Sequence, residues 1–243
     1  YAPDFDLKEK WTGREGMLAA LKKEKLRNPP GTKFVYSDIG FIVLGEIIYR
    51  LSGQTLNMFA RDNEFSRVEM TSTGFGSTIR DASTNMPTIG PLIVPSLMRG
   101  QPIAPTENVR GQNSYLGSTF EGEAAKGDQI LQGLVHDPTS FRMGGVAGHA
   151  GLFSTADDLA RFCQMLLNGG VAPAPQAETR AVASVSPQSR KRTLPTGRVS
   201  ALGGRRILSA QTVARMTQPY VVSEDGATRG LGWDMNTSFS SHR

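Results

Sequence analysis

The stretch Pro30-Gly31-Thr32-Lys33-Phe34-Val35-Tyr36-Ser37-Asp38-Ile39-Gly40-Phe41 reads as a turn that hands a tyrosine to the mouth of an apolar helix. Pro30 and Gly31 set the turn, because proline cannot continue a helical ladder and glycine tolerates a reversal. Beyond them Phe41, Leu44, Ile47, Ile48 and Leu51 recur at the three-and-four spacing of one buried stripe. Ser52-Gly53 closes that helix, since glycine takes the left-handed cap without steric cost. Tyr36 is therefore a phenol fixed where a helix begins, with a short polar side chain, Asp38, two residues on. Taken alone, these residues fit two descriptions. One is a tyrosine packed on the core with Asp38 capping the helix; the other is a phenol placed for proton transfer.

Upstream, Met17, Leu18, Leu21 and Leu26 stand among charges and predict a helix over 14–27, stopped by Asn28-Pro29-Pro30-Gly31. Downstream a shorter helix is expected over 55–65. From Ser66 to Asp137 the pattern dissolves into Gly, Pro, Thr and Ser, a long loop region of the kind that carries function inside globular chains. Periodicity returns after Thr155-Ala156-Asp157-Asp158, which resembles a capping box with Asp in the last position. Leu159, Phe162, Cys163 and Leu166 then line one face, and Asn168-Gly169-Gly170 ends the helix. Cys163 on that face is read as a small buried hydrophobe. A last short helix is expected over 209–216, and Arg229-Gly230-Leu231-Gly232-Trp233 leads into a strand. Strand patterns are otherwise scarce.

Composition narrows the classes. The 243 residues are 38% hydrophobic and 20% charged, which suits one large globular domain or two small ones. With 27 Gly and 14 Pro, much of the chain must be loop. The longest apolar stretch, Ile39 to Ile48, is interrupted by Gly40, Gly45 and Glu46, which excludes a transmembrane helix. A single cysteine excludes an internal disulfide. His136-Asp137 and His149 have no third ligand in spacing, so no metal site and no cofactor is expected. The net charge is +5, and seven basic residues lie between Arg180 and Arg206. No aromatic residue occurs from Val171 to Met216, whereas nucleic-acid patches interleave basic and aromatic residues. The segment 171–204 is therefore expected to be a flexible basic insertion, with no nucleic-acid partner. Neither a phosphate-binding Gly-x-x-x-x-Gly-Lys-[Ser/Thr] loop nor a Gly-x-Ser-x-Gly elbow occurs. Gly144, Gly145, Gly148 and Gly151 form a dense glycine turn ahead of a helix, a place where backbone N–H groups can meet an anion.

Two segments carry a family resemblance. Tyr36-Ser37-Asp38, followed by Leu44-Gly45-Glu46-Ile47-Ile48 and Ser52-Gly53, resembles the second active-site region of the serine β-lactamase and penicillin-binding-protein superfamily, where a Tyr-x-Asn motif precedes a helix. Gly144-Gly145-Val146-Ala147-Gly148-His149-Ala150-Gly151-Leu152-Phe153-Ser154-Thr155, continuing to Asp157-Asp158-Leu159, is similar to a region of the branch containing penicillin-binding-protein-like D-alanyl-D-alanine carboxypeptidases and related esterases. Shorter echoes are Ile103-Ala104-Pro105-Thr106-Glu107, Val135-His136-Asp137, Arg206-Ile207-Leu208-Ser209 and Gly230-Leu231-Gly232-Trp233, all in the same order. The resemblance implies an α+β, β-lactamase/transpeptidase-like fold. This chain would be mostly its helical part, a single incomplete domain over 1–243 with the terminal strands of the central antiparallel sheet missing. It also implies acyl transfer: a Ser in Ser-x-x-Lys attacks a carbonyl, and the Lys and a Tyr handle its proton. By that carry-over Tyr36 is the catalytic acid/base, its pKa lowered by the Lys, while Asp38 and His149 contact substrate. The substrate would be a small molecule or a peptidoglycan peptide, and the compartment extracytoplasmic in a bacterium.

Two departures stand out. Asp38 replaces the usual Asn; an ionised Asp only accepts hydrogen bonds, whereas Asn also donates. And no Ser in the chain has a Lys three residues on. Ser77, Ser96 and Ser189 have Arg80, Arg99 and Arg192 at that position, and Arg keeps its charge and cannot act as base. The chain is accordingly expected to be an internal fragment of a serine hydrolase and inactive alone. The competing readings are a non-catalytic binding module of the same fold, and a polyanion-binding protein acting through Arg180 to Arg206.

Overall fold

The computed structural model describes residues 4–5, 11–80, 87–93, 103–108, 130–174, 204–224 and 226–237. The chain divides into two compact units, 1–61 with 72–154 and 62–71 with 155–243.

In the first unit, helix α1 (Gly13–Lys23) buries Met17 and Ala20, and helix α2 (Asp38–Ser52) buries Ile39, Ile42 and Glu46. Phe5 joins Met17, Ala20, Ile39 and Ile42 in one core, with Trp11, Leu18, Leu21, Val43 and Met143 packed around it. Phe5 meets Trp11 edge to face, ring centroids 5.5 Å apart. The α1 helix stops at Lys23, four residues short of the expected end. Leu26, the one apolar residue of the missing turn, is 62% exposed, so no packing offsets the entropy of ordering that turn. The end of α2 matches the reading from sequence, with Gly53 closing it at φ 72°, but its cap is Ser37 rather than Asp38: Ser37 Oγ accepts from the Gly40 N–H at 3.2 Å. The buried face does not match. The expected stripe is largely in solvent, with Phe41, Leu44, Ile47 and Leu51 all exposed, and it is Ile39, Ile42 and Glu46 that point inward.

Glu46 is the unusual core residue. Its carboxylate takes the Arg14 guanidinium through both oxygens, at 2.8 and 2.6 Å, and Arg50 Nε at 2.7 Å. Burial works against its ionisation, yet the bonds from Arg14 and Arg50 hold the carboxyl below its ordinary range. Arg14 also lies over the Tyr49 ring, 4.3 Å from its centroid.

The stretch expected as loop from 66 to 137 contains short strands in addition. Strands β1 (Gly74–Phe75), β2 (Ser77–Arg80), β3 (Pro87–Ile93), β4 (Pro105–Asn108) and β5 (Ile130–Gln132) pair antiparallel as β2–β3 and β4–β5. A five-residue helix, α5 (Pro138–Arg142), follows, capped by Asp137 with Pro at its first position. Strand β6 (Leu152–Phe153) returns to β1 with Gly74 opposite Phe153 and Phe75 opposite Leu152. Leu131, Leu134, Val135 and Phe141 form a second core cluster in this unit.

Helix α3 (Leu56–Ala60) belongs to the first unit; the chain continues through one π-helical turn at Arg61–Phe65 into α4 (Ser66–Val68) of the second unit, three residues past the expected helix end. Helix α6 (Ala156–Leu167) starts at Thr155, whose hydroxyl accepts from the Asp158 N–H. Its buried residues are Asp158, Arg161 and Met165. Arg161 donates to the Val68 carbonyl at 2.8 Å and pairs with Glu69 at 3.1 Å. The expected apolar face is covered only in part: Leu159 and Cys163 are exposed, so Cys163 is not the buried residue expected, while Phe162 and Leu166 are half-buried. Helix α7 (Ala210–Thr217) begins at its Ser209 cap, and β7 (Tyr220–Val221), β8 (Thr228–Arg229) and β9 (Asp234–Asn236) make a three-stranded antiparallel sheet. The expected insertion at 171–204 lies outside the described residues from 175 to 203. Its flanks meet in an antiparallel bridge between Val171 and Arg206. Among the described residues no helix is long and apolar enough to cross a membrane.

Candidate active site

Tyr36 sits one residue before the Ser37 cap, half exposed, so the phenol stands at the open N-terminal end of α2. Asp38 is the first helical residue, not the cap. Its carboxylate accepts the Tyr36 hydroxyl. Burial pushes the Asp38 carboxyl above the ordinary 3.8, and neither the His149 charge nor the Tyr36 bond brings it back down.

His149 arrives on the glycine turn, and the glycines explain how. Gly148 lies so close to α2 that a Cβ there would stand 2.0 Å from the Phe41 carbonyl oxygen. Gly151 takes φ 111° with no room for a side chain beside Gly145. The Gly145 N–H donates to the Ser140 carbonyl at 2.8 Å, and Ser140 Oγ donates to the Ala150 carbonyl at 3.0 Å, tying the turn to α5. The loop thus presses against the first turns of α2 and delivers His149 beside the Asp38 end of the helix.

The His149 side chain is only 4% exposed. Its Nε2 lies 2.8 Å from Asp137 Oδ1, the same oxygen that accepts the Ser140 N–H at 2.6 Å as the α5 cap. Burial works against the imidazolium, but the Asp137 bond and the charges of Asp137, Asp38 and Asp4 outweigh it, holding the ring above its ordinary 6.5. Asp137 is likewise opposed by burial, yet His149 and the Ser140 N–H hold it below 3.8. Asp4 completes the group by accepting Thr139 Oγ1 at 2.9 Å on both oxygens.

The structure therefore brings Tyr36, Asp38 and His149 into one cluster from segments more than a hundred residues apart. Asp137 and Asp4 were missed as members. Asp137-Pro138-Thr139-Ser140 is a helix-start signature, a cap followed by Pro at the first helical position, and it pointed to an anchored carboxylate rather than to a metal ligand. Among the described residues no group of three or more His, Cys, Asp or Glu side chains is arranged to hold a metal ion. A pocket of about 260 Å³ lies elsewhere in the same unit, lined by Arg14, Met17, Glu46, Tyr49, Leu56 and Val146 among others. Its α2 residues Ile42, Gly45, Glu46 and Tyr49 run from four to eleven positions past Asp38, roughly 6–16 Å along the axis at 1.5 Å per residue, and Gly148, next to His149, lines it as well.

Residues 1–242 match the family model described as Beta-lactamase. The chain belongs to the beta-lactamase family. The α+β mixture of helices and small antiparallel sheets is the β-lactamase-like fold in part. Among curated relatives, this beta-lactamase-family chain is 28% identical over 223 residues to a putative D-alanyl-D-alanine carboxypeptidase of Escherichia coli K12, covering 90% of the chain and 38% of that protein. It is 31% identical over 174 residues to an N-acetylmuramyl-L-alanine amidase of Bacillus subtilis strain 168, covering 70% of the chain and 34% of that protein. Among solved structures, a penicillin binding protein from Bacillus halodurans aligns with a TM-score of 0.48 at 15% identity, over 92% of the chain and 46% of its own length. The chain thus spans under half the length of these relatives.

Proposed function

We propose that the protein containing this chain is a serine hydrolase of the β-lactamase/D,D-peptidase class, which forms an acyl-enzyme on an amide or ester and uses Tyr36 to move the nucleophile's proton. The observation that carries this is the placement of Tyr36: a half-exposed phenol at the mouth of α2 whose hydroxyl rests on Asp38. A core tyrosine would be covered, and a purely structural one has no need of a half-buried carboxylate. The nucleophile is assigned to residues outside this chain, because no Ser within it precedes a Lys by three. The names of the relatives, a carboxypeptidase and an amidase of muramyl peptides, support a peptidoglycan-peptide or similar small amide as substrate and an extracytoplasmic site of action. Asp38 is assigned to the edge of the substrate pocket, where as an acceptor only it favours a substrate N–H over a carbonyl.

The test is acylation of the whole protein by a fluorescent penicillin, together with hydrolysis of a short-chain ester. Tyr36→Phe should lower both by ~10² or more, the scale of a positioned proton-transfer group. Wild-type rates in Tyr36→Phe would make Tyr36 a packing residue and remove this reading. A whole protein with no Ser-x-x-Lys would instead support a non-catalytic binding module of the same fold.

A further inference from the structure

The His149 ring has two nitrogens and, as it stands, one partner. Nε2 is on Asp137; Nδ1 is buried and makes no hydrogen bond. An imidazolium needs two acceptors, and a buried donor left unpaired is costly because it has lost its water and gained nothing in exchange. The groups that face the ring are Asp137 from the α5 cap, Asp38 with Tyr36 from the mouth of α2, and Asp4 from the N-terminal segment, with His136 and Arg142 acting on the two outer carboxylates. Asp137 Oδ1 is doubly used, and both Asp4 oxygens are on Thr139. Asp38, whose partner is the Tyr36 hydroxyl, is the carboxylate with capacity to spare. Gly148 fixes the backbone next to His149 against the Phe41 carbonyl in the first turns of α2, the helix that Asp38 begins.

We propose that His149 is a positioning residue: anchored on Asp137, it presents Nδ1–H to Asp38 and keeps that carboxylate ionised, so that the Tyr36 hydroxyl always has a fixed acceptor. This rests on the reading of Tyr36 as the proton-handling group. With 4% of its side chain exposed, His149 acts through Asp38 and does not touch substrate. When Tyr36 turns its hydroxyl to the nucleophile, Asp38 loses a donor. The Nδ1–H then holds the carboxylate in place until the phenol returns.

The experiment has two arms, both on the whole protein. In the first, the His149 imidazole is titrated by NMR with labelled histidine. Its midpoint should lie above 6.5 in wild type and fall in Asp38→Asn as it does in Asp137→Asn, because charge coupling is reciprocal. A midpoint that moves in Asp137→Asn but stays put in Asp38→Asn overturns the proposal. This arm needs no His149 variant, so it stands even where such a variant unfolds. In the second arm, His149→Gln, which can keep the Asp137 bond without the charge, should slow acylation about tenfold to a hundredfold, the scale of a misplaced reacting group. Adding Asp38→Asn should cost nothing beyond Asp38→Asn alone, since the histidine acts through that residue. Losses that multiply in the double variant overturn the proposal and leave His149 with a structural role. Tyr36→Phe in the same assay separates the two claims: wild-type acylation there removes the Tyr36 reading, whereas the titration still decides whether His149 and Asp38 are coupled.

Discussion

Three carboxylates, Asp4, Asp38 and Asp137, surround one imidazole, and the stability of the cluster must therefore depend on pH. His149 has a folded-state pKa held above 6.5, so its contribution is complete below 6.5 and is lost as pH rises through the folded value. Asp137 is held below 3.8, so its contribution is complete above 3.8 and is lost as pH falls through its own folded value. The pair is fully formed between these limits. Thermal unfolding of the whole protein should show a melting temperature that declines on the alkaline side of 6.5, and His149→Gln should lack that decline. The stability at stake is on the order of 1.5–3 kcal/mol, as for a hydrogen bond to a charged group. A wild-type alkaline limb that persists in His149→Gln would mean that the pair contributes nothing. At this scale the sequence was informative where a residue type is itself unusual in its setting. A tyrosine before an apolar helix and a histidine in a glycine run both invite a chemical reading. Asp137 did not, because its role comes from capping a helix of five residues, too short to leave any periodic trace.

Elements decide where those residues meet. Gly148 lies against α2, and a Cβ added there would stand 2.0 Å from the Phe41 carbonyl oxygen. Gly148→Ala should push the loop off the helix and destabilise the protein by ~1–3 kcal/mol, as overpacking does generally. It should also slow acylation by moving His149 away from Asp38. An unchanged denaturation midpoint would show that the loop yields freely and that the contact positions nothing. The Ser37 cap is a milder lever: Ser37→Ala should cost ~1 kcal/mol, the usual value of an N-cap, and loosen the Tyr36 end of α2. The end of α2 and the start of α6 were legible because caps are local chemistry: Gly53 and Thr155 act within three or four residues of themselves, whereas the α2 cap is Ser37 and not Asp38, one residue before the cap the sequence offered. Which face would be covered was not. The α2 helix is apolar around most of its girth, so the period establishes a helix but leaves Ile39, Ile42 and Glu46 indistinguishable from Phe41, Leu44 and Leu51 as the inward side. Glu46 in particular is buried only because Arg14, thirty-two residues away, comes to meet it. The strands between 74 and 132 escaped for another reason. At two to seven residues, rich in Gly, Pro and Thr, they carry no alternation that a two-residue period could reveal.

For the whole molecule the question is which parts of the proposed acyl-transfer site one chain of 243 residues can hold. It holds a phenol, its carboxylate partner and a buried histidine, all in the unit formed by 1–61 and 72–154. It holds no Ser with a Lys three positions on, and the chain spans 38% of the E. coli relative. A phenol by itself, with an ordinary pKa of about 10, offers too little base at neutral pH to activate a serine hydroxyl unaided. The 243 residues expressed alone should therefore give no labelling by fluorescent penicillin above a boiled control and no hydrolysis of a chromogenic cephalosporin. The whole protein under the same conditions should be labelled, and its labelling should fall on Tyr36→Phe. Mass spectrometry of the labelled peptide then places the acyl group. An adduct on any Ser between 1 and 243 would put the nucleophile inside this chain, activated by something other than Ser-x-x-Lys, and would transfer the search for the base to whatever lies beside that serine. An adduct elsewhere in the whole protein, lost together with Tyr36, would make the mouth of α2 one half of a site whose other half is carried by different residues.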